Sequence, residues 1–168
     1  TETAETAFSY AVQIWANSIV SSQTIKINAN FGPLGSGVLG GAGADLYYSL
    51  TGPGIPENTL FPSALADALV QEDINAIGTD INATFSSTFP FYFGTDGNTP
   101  GGQYDFVSVV LHEVGHGLGI AGFGRQENGL GALRLSQIYS SIWDQYIENG
   151  SNTSILNYTD PSVALLGQ

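Results

Sequence analysis

Two histidines and one glutamate carry the chemistry open to this chain. His112 and His116 stand four residues apart in the run His112-Glu113-Val114-Gly115-His116, with Glu113 between them. Residues four apart on a helix share one face, a turn apart. Their imidazoles can therefore converge on a single ion, and a Zn–N distance of ~2.0–2.1 Å suits two such rings. Glu113 projects in a neighbouring direction, within reach of a water on that metal. The chemistry is hydrolysis. A zinc ion brings the pKa of its water toward ~7 and polarises a carbonyl. Glu113, the catalytic base, takes the water's proton and passes it to the leaving amine. The spacing is that of the helical zinc-hydrolase motif. The chain has two histidines, and these are both of them. Enclosing three such polar groups in an apolar helix without partners would cost several kcal/mol, and a metal with its water supplies the partners. The developing oxyanion needs a further donor. Tyr139, Tyr146 and Tyr158 are candidates, each more readily read as a packing tyrosine.

The motif must be held by a rigid frame. The helix that carries it is predicted over 104–118. Phe106, Val107, Val109, Val110, Leu111 and Val114 make it apolar on most sides, which predicts a buried helix. Gly119 and Gly122 end it. A second amphipathic helix is predicted over 3–20 from Phe8, Ala11, Val12, Trp15 and Ile19, with Glu2 and Glu5 where the helix dipole favours acids. Alternation predicts strands over 24–31 and 80–86, with a further strand over 46–50 and a β-prone aromatic stretch over 89–93. Residues 32–43 read as a Gly-rich loop. A short helix is predicted over 63–73 with Leu65, Leu69 and Val70 inward, and a last helix over 133–148 from Leu135, Ile138, Ile142, Tyr146 and Ile147.

Composition narrows the function. The 168 residues make one domain, and 42 % of them are apolar, as expected of a chain with a packed core. Fifteen acids face Lys26, Arg125 and Arg134, a net charge of −12. Three scattered cations cannot track a phosphate backbone, so nucleic acid is excluded as a partner. No apolar run approaches the ~20 residues of a membrane span. Cysteine is absent, which removes disulfides, thiolate ligands and a thiol nucleophile, and with them a deformylase-type site. The chain opens at Thr1 with no Met and no leader-like segment, as a processed or excised piece would.

From His112 the chain reads HEVGHGLGIAG. Together with the strand Asp80-Ile-Asn-Ala-Thr-Phe85 and the turn Thr95-Asp-Gly-Asn-Thr-Pro-Gly-Gly102, this resembles the metzincin clan of zinc peptidases. It is most similar to secreted bacterial peptidases with a HE-x-GHGLGF signature and a leishmanolysin-like arrangement. The resemblance implies an α+β catalytic domain with a small twisted mixed sheet, an N-terminal helix and a buried active-site helix. It divides the domain into 1–122 and a partial C-terminal part, 123–168. It also implies a secreted, extracellular endopeptidase that binds extended peptides along an edge strand, a role that falls by position on 80–86. Two departures stand out. Position 122, where the compact pattern has a third ligand, is Gly, and the chain lacks the clan's Met. In the leishmanolysin-like arrangement the third His and the Met come later. The apolar end at Leu165 and Leu166 then reads as a stop inside an insertion, with the third ligand beyond Gln168 in the remainder of a longer chain.

Within the chain, Asp144 lies 28 residues after His116 and is the alternative third ligand, with Glu148 a turn further on and Glu127 a weaker candidate. Against it stands a solvated helix face made of Gln137, Ser141, Asp144 and Glu148. If no third ligand is present, the alternative function is a metal-binding, non-catalytic domain. Three weaker signals remain. Gly35-Ser-Gly37-Val-Leu-Gly40 matches a dinucleotide fingerprint but lacks a helix to follow. Asp96 and Asn98 could serve a Ca2+ turn, though the EF-hand frame fails at Val107. Sequons stand at Asn82, Asn152 and Asn157.

Overall fold

The sheet that backs the motif has three strands, and its middle strand is the 80–86 segment. The computed structural model describes residues 2–167. Thr1, Gln168 and the side chain of Leu166 lie outside the description, and with them the last part of the apolar end read at Leu165 and Leu166. Helix α1 (Glu2–Ser18) leads to β1 (Ile27–Gly32), β2 (Gly40–Ala44), β3 (Tyr47–Ser49), β4 (Thr59–Pro62) and α2 (Ser63–Val70). Then follow β5 (Ile81–Ser86), β6 (Phe91–Tyr92), β7 (Tyr104–Asp105) and α3 (Phe106–Leu118). The rest is a hairpin of β8 (Arg125–Glu127) and β9 (Leu130–Ala132), the short β10 (Ser140–Ser141) and three 3₁₀ turns. No helix is long and apolar enough to cross a membrane among these residues. The architecture is α+β.

The main sheet runs β1-β5-β2, with β1 parallel to β5 and β2 antiparallel to it. A smaller sheet runs β10-β4-β3. One face of the main sheet is apolar through Ile81, Ala83 and Phe85. Helices α1 and α3 pack on that face and share a core with it through Ala4, Ala7, Ala11, Val110 and Val114. The alanines let α1 approach closely. Trp15 then ties the two helices together, its indole N–H donating to the Leu111 carbonyl at 3.1 Å.

The structure corrects several expectations. The edge role assigned to 80–86 fails, because β5 is flanked on both sides. Residues 40–44 are not loop. With Gly-Gly-Ala-Gly-Ala they carry no pattern, but a ladder needs only main-chain groups, and pairing overrides propensity. Helix α2 stops at Val70 because Gln71 turns into the left-handed region at φ 60°, and Leu69 and Val70 are exposed rather than inward. The helix expected over 133–148 does not form. Ser136 and Gln137 take φ of 52° and 59°, and Leu135 bridges to Tyr139. A single 3₁₀ turn, Trp143–Tyr146, replaces the later part.

Asp67 on α2 is 3 % exposed and accepts from the Ile74 N–H at 3.1 Å. Burial first, then the charges of Asp80 and Asp73, hold its carboxyl above the usual range despite that hydrogen bond. An acid whose pKa is raised on folding binds its proton more tightly in the folded state. Its ionisation therefore costs stability as pH rises above the unfolded value of about 3.9. Asp67→Asn removes this cost. Its Tm should drop less than the parent's, or climb more, from about pH 4 to about pH 7. Parallel Tm–pH curves would contradict the assignment.

Candidate metal centre

Helix α3 is fixed at both ends. At its start the Asp105 carboxylate accepts from the Val107 N–H at 3.2 Å, satisfying one of the unpaired donors of the first turn. Phe106 then anchors the helix, with ring centroids 5.1–5.3 Å from those of Phe85, Phe91 and Phe93. The helix begins two residues later than the sequence suggested, because Tyr104 and Asp105 pair with β6. At its end Gly119 takes φ 112°, and the Ile120 N–H returns to the Gly115 carbonyl at 3.0 Å, a Schellman closure.

That closure turns the Ile120 carbonyl back toward the histidines. It lies 2.8 Å from His116 Nδ1. A carbonyl only accepts, so Nδ1 carries a proton, and in the neutral ring it is Nε2 that is left to bind. The Nε2 atoms of His116 and His112 are 3.0 Å apart. Their rings are nearly perpendicular, 4.6 Å between centroids. Two nitrogens on one tetrahedral zinc at ~2.05 Å would stand about 3.3 Å apart. The pair is thus within a few tenths of an ångström of a chelating geometry, and its backbone partner fixes the tautomer a metal requires. The two rings fit two positions of such an ion.

Glu113 is half-buried and lies along the first residue of β2. A Cβ on Gly40 would stand 3.3 Å from Glu113 Cγ, so glycine there leaves room for the acid. His112 is exposed and His116 half-buried. The three polar groups are therefore not enclosed, contrary to expectation, and burial alone does not demand a metal. The buried side of α3 is Phe106, Val107, Val110, Val114, Gly115 and Gly117, and the histidines stand on the opposite, open side.

The other candidates lie elsewhere. Asp144 is 2 % exposed, in the 3₁₀ turn Trp143–Tyr146 and not on a solvated face. Its Oδ2 accepts from the N–H groups of Phe123 at 3.2 Å and Ser141 at 3.0 Å. Its Oδ1 crowds the place a side chain at Gly122 would take. Asp144 pins the segment that leaves α3 to β10. Asp144→Ala should cost about 3 kcal/mol through these two charge-assisted bonds and leave metal content unchanged. Loss of the metal with the fold intact would make it a ligand. Glu127 is paired with Arg125 at 2.8 Å, and Glu148 is exposed. Among the described residues no third His, Cys, Asp or Glu joins the histidine pair.

Tyr158 accepts from Asn149 Nδ2 at 2.7 Å, and Tyr146 is 75 % exposed. Asp96 closes a turn, accepting from the Tyr92 hydroxyl at 2.7 Å and the Asn98 N–H at 3.0 Å. The Tyr92 bond foremost holds its carboxyl below the usual range. The glycines from Gly35 lead into β2 and not into a helix, which ends the dinucleotide reading. Sequence reasoning missed the Ile120 carbonyl and Gly40. The αL signal of Gly119 could have revealed the first. No family model, curated protein or solved structure matches the chain.

Proposed function

We propose that the chain is a zinc-dependent endopeptidase of metzincin type, secreted and of bacterial kind, in which His112 and His116 hold the ion and Glu113 is the general base. The observation that carries this reading is the 3.0 Å approach of the two Nε2 atoms, with His116 locked as the Nδ1–H tautomer by Ile120. A bound Zn2+ supplies a water of lowered pKa and a polarised carbonyl. With the ion in place Glu113 would take up a water's proton on its carboxylate and return it to the departing amine.

Substrate alignment belongs to β2 in this reading. The Leu39 carbonyl and the Asp45 N–H both bond toward β5. Main-chain groups alternate in side along a strand, so those of Gly40, Ala42 and Ala44 face outward. An extended peptide added there passes beside Glu113. The third protein ligand, by the resemblance, comes from the remainder of a longer chain.

The test is hydrolysis of casein or gelatin by metal-loaded protein. Activity should vanish with a chelator and return with Zn2+, and His116→Ala should lose both the ion and the activity. A metal-loaded, full-length protein that cleaves neither substrate overturns the peptidase reading. It would leave the second one, a metal-binding domain without catalysis, which the two-residue donor set among the described residues favours.

A further inference from the structure

The main sheet has a second open edge, on the side away from Glu113. The Lys26 carbonyl accepts from the Ile81 N–H at 3.2 Å, and the Gly32 carbonyl from the Ser87 N–H at 2.8 Å. By alternation, Asn28 and Asn30 also turn their main-chain groups to β5, and those of Ile27, Ala29 and Phe31 point outward. No strand among the described residues pairs with them. Exposed edges are usually blunted by charge, proline or a bulge. In β1, with the sequence INANFG, there is neither charge nor proline.

Beside this edge α1 runs antiparallel and leaves a trough made of two cavities, one toward each end. One, of about 510 Å³, is lined by Phe8, Phe31, Phe85 and Phe106 together with the polar Glu5 and Asn30. The other, of about 230 Å³, is lined by Trp15 and Ile27 among others. Phe31 is 41 % exposed. Side chains two apart on an added strand stand roughly 7 Å apart on one face, so alternate residues can enter both cavities. The charge of the site selects the occupant. Helix α1 brings Glu2 and Glu5 and no base, and a second copy of a chain at −12 would be repelled.

We propose that β1 binds an extended segment of a cationic polypeptide as a fourth strand, with alternate apolar side chains in the trough and its lysines or arginines set against Glu5 and the acidic surface. This surface does not depend on the histidine pair.

The probe is a short acetylated and amidated peptide alternating lysine with valine and phenylalanine, added to the full chain in EDTA. Saturable binding is expected below about 100 µM, weakening with salt. Hydrogen exchange at the Ile27, Ala29 and Phe31 amides should slow by about tenfold. N-methylation of alternate peptide amides should abolish both effects. Ala29→Pro, which removes an outward N–H that serves no ladder bond, should do the same. Glu5→Lys should weaken the lysine peptide several-fold and strengthen a glutamate counterpart. Three results each overturn the proposal: protection at Gly40, Ala42 and Ala44 instead of β1, unchanged affinity on N-methylation, or protection of β1 that rises with protein concentration without peptide.

Discussion

Glu113→Gln is expected to lower peptide hydrolysis by about 10²–10⁴-fold, the usual share of a positioned general base, while zinc content stays unchanged. The reason is positional. Glu113 does not take part in the 3.0 Å histidine contact. Its side chain lies toward Gly40 of β2, where the reading places the substrate. The amide keeps size and shape but cannot take up a proton, so kcat should collapse with little change in KM. Metal analysis and kcat measured on the same preparations check both halves. Loss of zinc in Glu113→Gln would recast the residue as a ligand, and retained activity would remove it from the mechanism.

The second large effect is structural. Gly117→Ala is expected to lower Tm by about 5 °C, which at this chain length corresponds to roughly 2 kcal/mol. A Cβ there would fall against Ile81, within 2.8 Å of its Cγ1 and 2.9 Å of its Cδ1, and Ile81 is fully enclosed on the central strand. Alanine gains about 1 kcal/mol of helix propensity over glycine. The enclosed overlap outweighs that gain, because relief requires α3 to lift from the sheet, carrying His116 with it. Hydrolysis should fall as well. Shrinking the partner provides the control: Ile81→Ala removes all three contacting carbons, so the double variant should be less destabilised than the sum of the two single ones, a non-additivity expected of residues in contact. Gly115→Ala should be mild, since its Cβ would meet Trp15 at an ordinary 3.4 Å. Equal effects at 115 and 117 would contradict the packing described.

These contrasts show which parts of the molecule could be read from the chain. The motif was legible because four-residue spacing is local, and Gly119 marked the helix end by a conformation that glycine favours. The existence of β5 was legible from alternation, but its central place was not, since strand order is decided by pairing between segments far apart in sequence. Strand β2 carried no signal at all, for Gly-Gly-Ala-Gly-Ala has neither pattern nor propensity. At 133–148 the apolar spacing mimicked a helix, and only the left-handed turn at Ser136 and Gln137 shows why none formed. Asp144 was misread with it. A buried carboxylate and a surface one look alike until the donors at Phe123 and Ser141 are known.

The make-up of β2 bears on selectivity. No side chain along Gly40–Ala44 is larger than a methyl group, so under the proposed function this strand edge can grip a peptide's amides without reading what lies between them. Under the proposed function, discrimination among cleavage sites must then arise away from β2. A bulkier residue at Gly41 or Gly43, where a side chain would meet nothing within 4 Å, should then narrow the range of peptides accepted rather than slow the cleavage of all of them.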